Sequence, residues 1–246
     1  MSESKYAEDL ALAHLLADIA DAISLDRYQS LDLVVTTKPD NTPVTDADKA
    51  TEKALRDILA KERPEDGLVG EEFGTSGTDA KRYWVIDPID GTSNFVRGVP
   101  VWASLIALVY NDVPILGVVS APAMRMRWWA HLGGEAFYNS TPIRVSAIDT
   151  MRHASLSITL NKPWRDLDTD YSLEKLQRDV SRVRGYGDFW QHMLVAQGAV
   201  DVAIDSIGLA PYDIAALMPI VQQAGGRCTD RLGTANWRAN SLVTSN

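Results

Sequence analysis

Two aspartates, Asp87 and Asp90, stand three positions apart at the end of an apolar segment and have the clearest chemical potential in the sequence. Their carboxylate oxygens suit hard cations such as Mg²⁺, which takes a near-octahedral shell of oxygens and usually retains water. Pro88 stiffens the backbone between the two acids, and Gly91 allows a sharp turn that aims N–H groups at an anion. Thr92 adds a hydroxyl within reach of a bound water or phosphate oxygen. The spacing therefore predicts a metal-assisted phosphoryl site.

Strand ends are predicted to bring acids to this site. Residues 83–86 are predicted to form the strand that carries Asp87 and Asp90, and the apolar pair Leu68-Val69 predicts a short strand that enters Gly70-Glu71-Glu72. A pair of glutamates is by itself most often solvated. Only the preceding glycine and the neighbouring motifs favour a functional role for Glu71.

Helix starts supply further acids. Thr45 is a candidate N-cap for a helix with Asp48 in its first turn, so Asp46 lies at a junction between loop and helix. Asp213 is predicted to open a helix that Gly225-Gly226 ends. Both acids also have purely structural interpretations. Helix capping alone would explain Thr45 and Asp46, and the helix dipole alone would favour Asp213 in a first turn.

The remaining pattern predicts layers of helices and sheet. Apolar residues at three-and-four spacing over residues 4–25 predict an amphipathic helix. Strands in a meander are predicted over residues 104–138, and helices and strands alternate from residue 173 onward. Because no internal repeat or long linker interrupts the chain, we expect an α+β protein whose layers pack together.

The composition limits the possible partners. The chain has 246 residues, of which 46% are hydrophobic, and a net charge of -9, which disfavours nucleic acid and anionic membranes. Cys228 is the only cysteine, which excludes an intramolecular disulfide and favours a reducing compartment. No secretory signal is apparent, nor a stretch of about 18 apolar residues that could span a membrane. We therefore expect a cytoplasmic enzyme with a small-molecule substrate.

Three motifs resemble those of the inositol monophosphatase superfamily, whose members are Mg²⁺-dependent, lithium-sensitive phosphatases. The motifs are Gly70-Glu71-Glu72, residues 84–94 (WVIDPIDGTSN), and residues 212–216 followed by 223–226 (QAGG). The resemblance implies a layered α-β-α-β-α sandwich, as in inositol monophosphatase and fructose-1,6-bisphosphatase, and a homodimer. It also implies one catalytic domain over residues 1–246, with a metal and phosphate half at about 1–145 and a substrate half at about 146–246.

The resemblance also implies the roles of individual residues. Two or three Mg²⁺ ions would be held by the side chains of Glu71, Asp87, Asp90 and Asp213 and by the backbone carbonyl of Ile89. Thr92 and Asp46 would orient and deprotonate the attacking water, with Glu71 as a further catalytic residue. The N–H groups of Gly91 and Thr92 would hold the phosphate. Water would attack phosphorus directly, without a phosphoenzyme.

Further segments are similar to the bacterial histidinol-phosphate phosphatases of this fold, namely residues 96–108, 120–123, 127–130 and 186–189. Asp188 stands where inositol phosphatases usually have a small or hydroxyl residue. A carboxylate there would favour a cationic substrate through a charge-assisted hydrogen bond of roughly 1.5–3 kcal/mol. The ordinary alternative is a surface carboxylate paired with His192 one helical turn later. Asp205 lies near a family glutamate that contacts the leaving group, but its interval to Asp213 is one residue longer.

These patterns predict a Mg²⁺-dependent phosphomonoesterase that converts L-histidinol phosphate to L-histidinol and phosphate in histidine biosynthesis. The nearest alternative is the same chemistry on myo-inositol 1-phosphate or another small phosphate ester. An alternative of a different class is a catalytically silent regulatory or binding protein. It is motivated by Pro211-Tyr212, where the family usually has Trp before the last metal aspartate, and by an early C-terminus.

Overall fold

The secondary structure is taken from a computed structural model that describes residues 3–39, 41–77, 80–167 and 170–246. The strands are β1 (Val35–Thr37), β2 (Pro43–Thr45), β3 (Gly67–Gly70), β4 (Gly74–Ser76), β5 (Arg82–Asp90), β6 (Ala103–Tyr110), β7 (Val113–Ala121), β8 (Met126–His131), β9 (Ala136–Tyr138), β10 (Thr141–Ile143), β11 (Ser155–Ile158), β12 (Arg182–Arg184), β13 (Val202–Ile204), β14 (Arg227–Thr229) and β15 (Val243–Ser245). The helices are α1 (Glu3–Arg27), α2 (Asp46–Glu62), α3 (Thr92–Val96), α4 (Lys162–Asp166), α5 (Asp170–Asp179), α6 (Asp188–Ala196), α7 (Pro211–Ile214) and α8 (Leu217–Gln223).

The strands form a hairpin and two sheets. The hairpin pairs β1 with β2. The larger sheet has the order β10-β9-β8-β7-β6-β5-β3-β4, in which β3 and β5 are parallel and the other pairs are antiparallel. The smaller sheet has the order β12-β11-β13-β15-β14 and mixes parallel with antiparallel pairs. The predicted meander is therefore confirmed as the centre of the larger sheet.

Helices cover both faces of the larger sheet. On one face α1 and α2 pack against β5, β6 and β7, where Leu16, Leu55 and Ile106 share a buried cluster. On the other face α8 contacts β7 and β8 of the larger sheet and also β14 of the smaller one, and α6 lies beside it. The outer face of the smaller sheet is covered by α5, whose Leu173 is buried with Leu156 of β11. This order of layers confirms the predicted α-β-α-β-α sandwich.

The central strands are apolar on both faces because both faces are covered. Along β6, Ile106 and Leu108 belong to the cluster beneath α1, whereas Leu105, Ala107 and Val109 belong to the cluster beneath α8. Successive side chains of a strand point to opposite faces, so a strand covered on both sides needs a continuous apolar run.

The predicted helix from Asp213 to Gly225-Gly226 is wrong in one respect, because the structure divides it into α7 and α8. Pro219 lies in the first turn of α8, where its missing N–H costs nothing. In one continuous helix Pro219 would clash with the carbonyl of Ala215. The break also lets β7 approach closely, since a Cβ at Gly117 would overlap the carbonyl of Ala216.

The strands of the larger sheet all precede residue 144, and those of the smaller sheet all follow residue 154. The predicted division at about residue 145 thus falls between the sheets. The later part of the chain nevertheless also packs against the larger sheet, because α8 contacts β7 and β8 and α7 contacts β5. Separate metal and substrate roles for the two halves stay a prediction.

Candidate metal and phosphate site

A cleft of about 370 Å³ opens at the C-terminal end of β5. Its lining is mostly polar and comes from distant parts of the chain: Thr42, Pro43, Glu71, Asp87, Ile89, Asp90, Gly91, Thr92, Ser93, Asn94, Asp188, Gly208, Ala210, Tyr212 and Asp213. The structure therefore brings together nearly all of the predicted site residues.

An irregularity in β5 turns Asp87 and Asp90 towards the same cleft. Residues three apart in a regular strand point to opposite faces, but the pairing of β5 with β6 shifts register between these two residues. With Asp213 of α7 they place carboxylate oxygens within 4.8 Å of one another. The backbone N–H groups of Ile89, Phe189 and Ala210 donate to the three acids at 2.9, 2.9 and 2.6 Å respectively.

Burial and mutual repulsion act on the carboxyl groups of these three acids. Burial, and then the charges of Glu71 and other acids, raises the pKa of Asp87 well above its ordinary value. Burial, followed by the charges of Asp188 and Asp213, does the same to the pKa of Asp90. Burial raises the pKa of Asp213 to about 7. A divalent cation would hold all three ionised. The donor atoms are all oxygens, which fits Mg²⁺.

A second acidic cluster adjoins the first through Glu71. Oxygens of Asp48, Glu71 and Glu72 lie within 4.8 Å of one another. The Lys38 ammonium donates to Glu71 at 2.7 Å and to Glu72 at 2.6 Å. Although burial alone lowers the pKa of Lys38, these bonds raise it above its ordinary value. Lys38 therefore stays charged and fixes the Glu71 side chain at the cleft. No local sequence pattern predicted a role for Lys38.

The predicted pairing of Thr92 with Asp46 is wrong. Asp46 instead forms an ion pair with Arg27 of α1 at 2.8 Å and is not among the residues that line the cleft. The Thr92 hydroxyl lies 3.3 Å from a carboxylate oxygen of Asp48 and 3.0 Å from the carbonyl oxygen of Ile89. Burial raises the pKa of Asp48 to about 6. Asp48 therefore takes the position beside Thr92 that was expected for Asp46.

Thr45 and Asp48 form a capping box at the start of α2. The Thr45 hydroxyl accepts from the backbone N–H of Ala47 at 3.1 Å, and the Asp48 carboxylate accepts from the Thr45 N–H at 2.8 Å. The predicted N-cap is confirmed. The same box fixes the Asp48 side chain, and an acid at the third helical position was the sequence signal that could have indicated it.

A buried carboxylate on α2 holds the backbone that follows β3. Glu52 is fully buried and accepts from the N–H groups of Glu72 at 2.6 Å and Phe73 at 3.1 Å. Arg56 balances its charge at 2.7 Å. A Cβ at Gly70 would overlap the Glu52 carboxylate, so only glycine fits before Glu71. The motif indicated this glycine, but no sequence pattern predicted the role of Glu52.

Gly91 makes the turn from β5 into α3. Its φ of 83° lies in the left-handed region, and a Cβ there would stand 2.9 Å from the carbonyl oxygen of Val101. The Asn94 side chain braces the turn by donating to Val101 O and to an oxygen of Asp188, both at 2.9 Å. The turn therefore presents the Gly91 and Thr92 backbone to the cleft, as the sequence predicted.

Asp188 lines the cleft, and its predicted alternative as a partner of His192 is wrong. The His192 ring contacts Asp205 at 3.1 Å instead. Burial, followed by the charge of Asp205, raises the pKa of Asp188 to about 6. Asp188 also has a φ of 48°, in the left-handed region that Asp tolerates better than most residues other than glycine. Asp205 is not among the residues that line the cleft, and its contact with a leaving group stays a prediction.

The model of the inositol monophosphatase family matches residues 5–246, and with the acidic cleft at the end of β5 it defines the class of this protein. The chain belongs to the inositol monophosphatase family, a family of phosphomonoester hydrolases.

Individual relatives are more specific. The chain is 48% identical to the histidinol-phosphatase of Mycobacterium tuberculosis, over 97% of this chain and 94% of that one. It is 45% identical to the histidinol-phosphatase of Streptomyces coelicolor, over 98% and 93% respectively. Among solved structures, an inositol monophosphatase from Zymomonas mobilis matches with a TM-score of 0.84 and 34% identity, over 98% of this chain and 93% of that one.

Proposed function

We propose that this protein is a Mg²⁺-dependent phosphomonoesterase that hydrolyses L-histidinol phosphate to L-histidinol and phosphate. The observation that carries the proposal is the meeting of Asp87, Asp90 and Asp213 in one cleft, with the Thr92 and Asp48 side chains in contact. The names of relatives at 45–48% identity support histidinol phosphate as the substrate.

The acids that would hold the cations are those brought together in the cleft. Asp87, Asp90 and Asp213 share one site, and Glu71 with the carbonyl of Ile89 would extend it to a second or third ion. When bound, Mg²⁺ supplies positive charge that acidifies water and neutralises charge developing on the phosphoryl oxygens. Lys38 holds Glu71 in place beside Asp87.

The chain's own residues bind and orient the reactants. The Thr92 hydroxyl and the Asp48 carboxylate would orient the attacking water, and Asp48 would take its proton. Backbone N–H groups of Gly91 and Thr92 would bind phosphate oxygens in the turn after β5. The water oxygen bonds to phosphorus as the bond to the substrate oxygen breaks, the leaving alkoxide takes a proton from solvent water, and Asp48 returns its proton to solvent.

Asp188 would select a cationic substrate. It faces the cleft from the first turn of α6, where Asn94 holds one carboxylate oxygen at 2.9 Å. L-Histidinol phosphate carries an ammonium group and an imidazole, whereas inositol phosphate is a neutral polyol apart from its phosphate. A charge-assisted hydrogen bond of roughly 1.5–3 kcal/mol corresponds to about tenfold or greater discrimination.

Steady-state kinetics on two substrates tests the proposal. With saturating Mg²⁺, kcat/KM for L-histidinol phosphate is expected to exceed that for myo-inositol 1-phosphate by about tenfold or more. Comparable values would favour a general phosphatase of the same family. No phosphate release from either ester, or from a wider panel, would favour a catalytically silent homologue.

We also propose that the protein is a homodimer and is inhibited by lithium, and family membership supports both properties. We propose a cytoplasmic location as well, which the single, buried and free cysteine supports. No helix among the described residues is long and apolar enough to cross a membrane. Light scattering on the purified protein measures the mass directly, and a mass of one chain would contradict the dimer.

A further inference from the structure

Three buried side chains form a hydrogen-bonded chain behind Asp188. His192 lies one helical turn after Asp188 on α6 and is fully buried. Its Nε2 contacts a carboxylate oxygen of Asp205 at 3.1 Å, and its Nδ1 contacts the Thr244 hydroxyl at 2.9 Å. Thr244 lies in the central part of the smaller sheet and is itself fully buried. These hydrogen bonds thus join α6 to β15 of the smaller sheet and to the residue that follows β13.

The partners of His192 fix the orientation of its ring. Nε2 carries a hydrogen, because an ionised carboxylate can only accept a hydrogen bond. The Thr244 hydroxyl can either donate to Nδ1 or accept from it, so both ring nitrogens have a partner. The ring thereby holds the Asp205 carboxylate in one orientation.

Asp188 and Asp205 lie close enough for the charge of one to act on the other. Of the described residues, no lysine or arginine forms an ion pair with either carboxylate, and the remaining donors are the Asn94 amide and the Ser206 N–H. The charge of Asp205 acts on Asp188. Cations held by Asp87, Asp90 and Asp213 would neutralise those three acids. The negative charges of Asp188 and Asp205 would then remain to attract a cationic group of the substrate.

We propose that His192 is a positioning residue for substrate selectivity: it holds Asp205 behind Asp188, so that the two carboxylates together favour a phosphate ester that carries a cationic group. The inference rests on the proposed histidinol phosphatase activity and extends it. Asp188 touches the substrate, whereas Asp205 acts through its charge and His192 acts through Asp205.

Two substitutions at His192 separate the two hydrogen bonds. His192→Gln places an amide N–H near the position of Nε2 and can still donate to Asp205. His192→Asn places an amide near the position of Nδ1, which reaches Thr244 but not Asp205. The selectivity ratio is kcat/KM for L-histidinol phosphate divided by kcat/KM for myo-inositol 1-phosphate. We expect His192→Asn to lower this ratio by about threefold or more, mainly through KM for the cationic ester, and His192→Gln to keep it within about twofold.

Asp205→Asn removes the charge and keeps the shape and an acceptor for His192. We expect it to lower the selectivity ratio by about fivefold or more. His131→Asn is the matched control, because His131 is a buried histidine on β8 that is absent from the cleft lining. It should leave the ratio within about twofold of wild type.

A fall of less than about threefold in Asp205→Asn, or equal losses in the two His192 variants, would overturn the positioning role. If His192→Asn fails to fold, the comparison of His192→Gln with Asp205→Asn decides, since only the latter should lose selectivity. Wild-type protein without a preference for L-histidinol phosphate would instead refute the proposed function itself. The two failures are therefore distinguishable.

Discussion

At the residue scale, the proposed water attack depends on the contact between Thr92 and Asp48. Residues two apart on an α-helix point about 200° apart, so only one of Asp46 and Asp48 can face Thr92. Asp48 does so, and Asp46 faces Arg27 on the other side. Because these two acids point in opposite directions, substituting each of them in turn tests which one acts on the attacking water.

Asp48→Asn is expected to lower kcat for phosphate release by about 100-fold or more, because the amide cannot accept a proton from the attacking water. Asp46→Asn, the matched control, should keep kcat within about threefold, since it weakens only a partly exposed ion pair with Arg27. Thermal melts of both variants show whether each is folded. Equal losses of kcat in the two variants would contradict the assignment.

The sequence could predict that an acid near Thr45 reaches the site but not which one. The choice depends on how α2 rotates about its axis, and that rotation is fixed by the packing of Leu55 and Leu59 against the larger sheet. The roles of Lys38 and Glu52 were missed for a similar reason. Their partners lie 33 and 20 positions away in the sequence, and no local spacing signals such contacts.

At the element scale, the junction of β3 with the segment after it positions Glu71. The buried Glu52 carboxylate of α2 occupies the space beside Gly70 and holds the following backbone. A glycine in a strand often marks such a close approach. Because a glycine before Glu71 is structural here, its replacement should affect both stability and cation binding.

Gly70→Ala is expected to destabilise the protein by about 3 kcal/mol, because the new methyl group displaces a buried carboxylate from its backbone donors. Gly74→Ala, four residues later, should cost only about 1 kcal/mol, since its φ of 70° is strained but open space surrounds it. Urea denaturation of both variants measures the difference. A loss at Gly70 no larger than that at Gly74 would contradict the packing account.

Most elements could be predicted from local patterns, including α1, the capped start of α2 and the meander of β6 to β9. The division between α7 and α8 was not predicted. It depends on Pro219 and on the close approach of Ala216 to Gly117 of β7, and the second of these is a long-range contact. The irregularity that turns Asp87 and Asp90 to one side likewise depends on pairing with β6.

At the scale of the whole molecule, the layered sandwich brings together acids from β5, α2, α7 and the segment after β3. The order of the motifs predicted the fold through family resemblance. Hydrophobic periodicity alone could not have predicted the order of the layers, because strands covered on both faces show no alternation of apolar and polar residues. Because these acids lie close together, the thermal stability of the protein should depend on pH.

Without Mg²⁺, thermal stability is expected to fall as pH rises from about 4 to about 7. Burial raises the folded-state pKa of Asp48 to about 6 and of Asp213 to about 7, above their unfolded values. A raised carboxyl pKa means that the folded state binds more protons, so its contribution is present at low pH and lost as pH rises through these values.

Saturating Mg²⁺ should reverse the loss, because cations bind ionised carboxylates. The gain in Tm on adding Mg²⁺ should therefore increase with pH over the same range. Subtracting the Mg²⁺-free melt at each pH cancels the titration of groups elsewhere in the protein. A gain in Tm that does not change with pH would contradict the acidic cluster as the cation site.

The proposed phosphatase chemistry requires Asp87, Asp90 and Asp213 to hold a divalent cation together. A crystal grown with Mn²⁺ in place of Mg²⁺ tests this most directly, because the anomalous signal of manganese locates the ion. We predict a strong anomalous peak in contact with carboxylate oxygens of all three aspartates. A well-ordered map with these side chains in place and no peak among them would contradict the account.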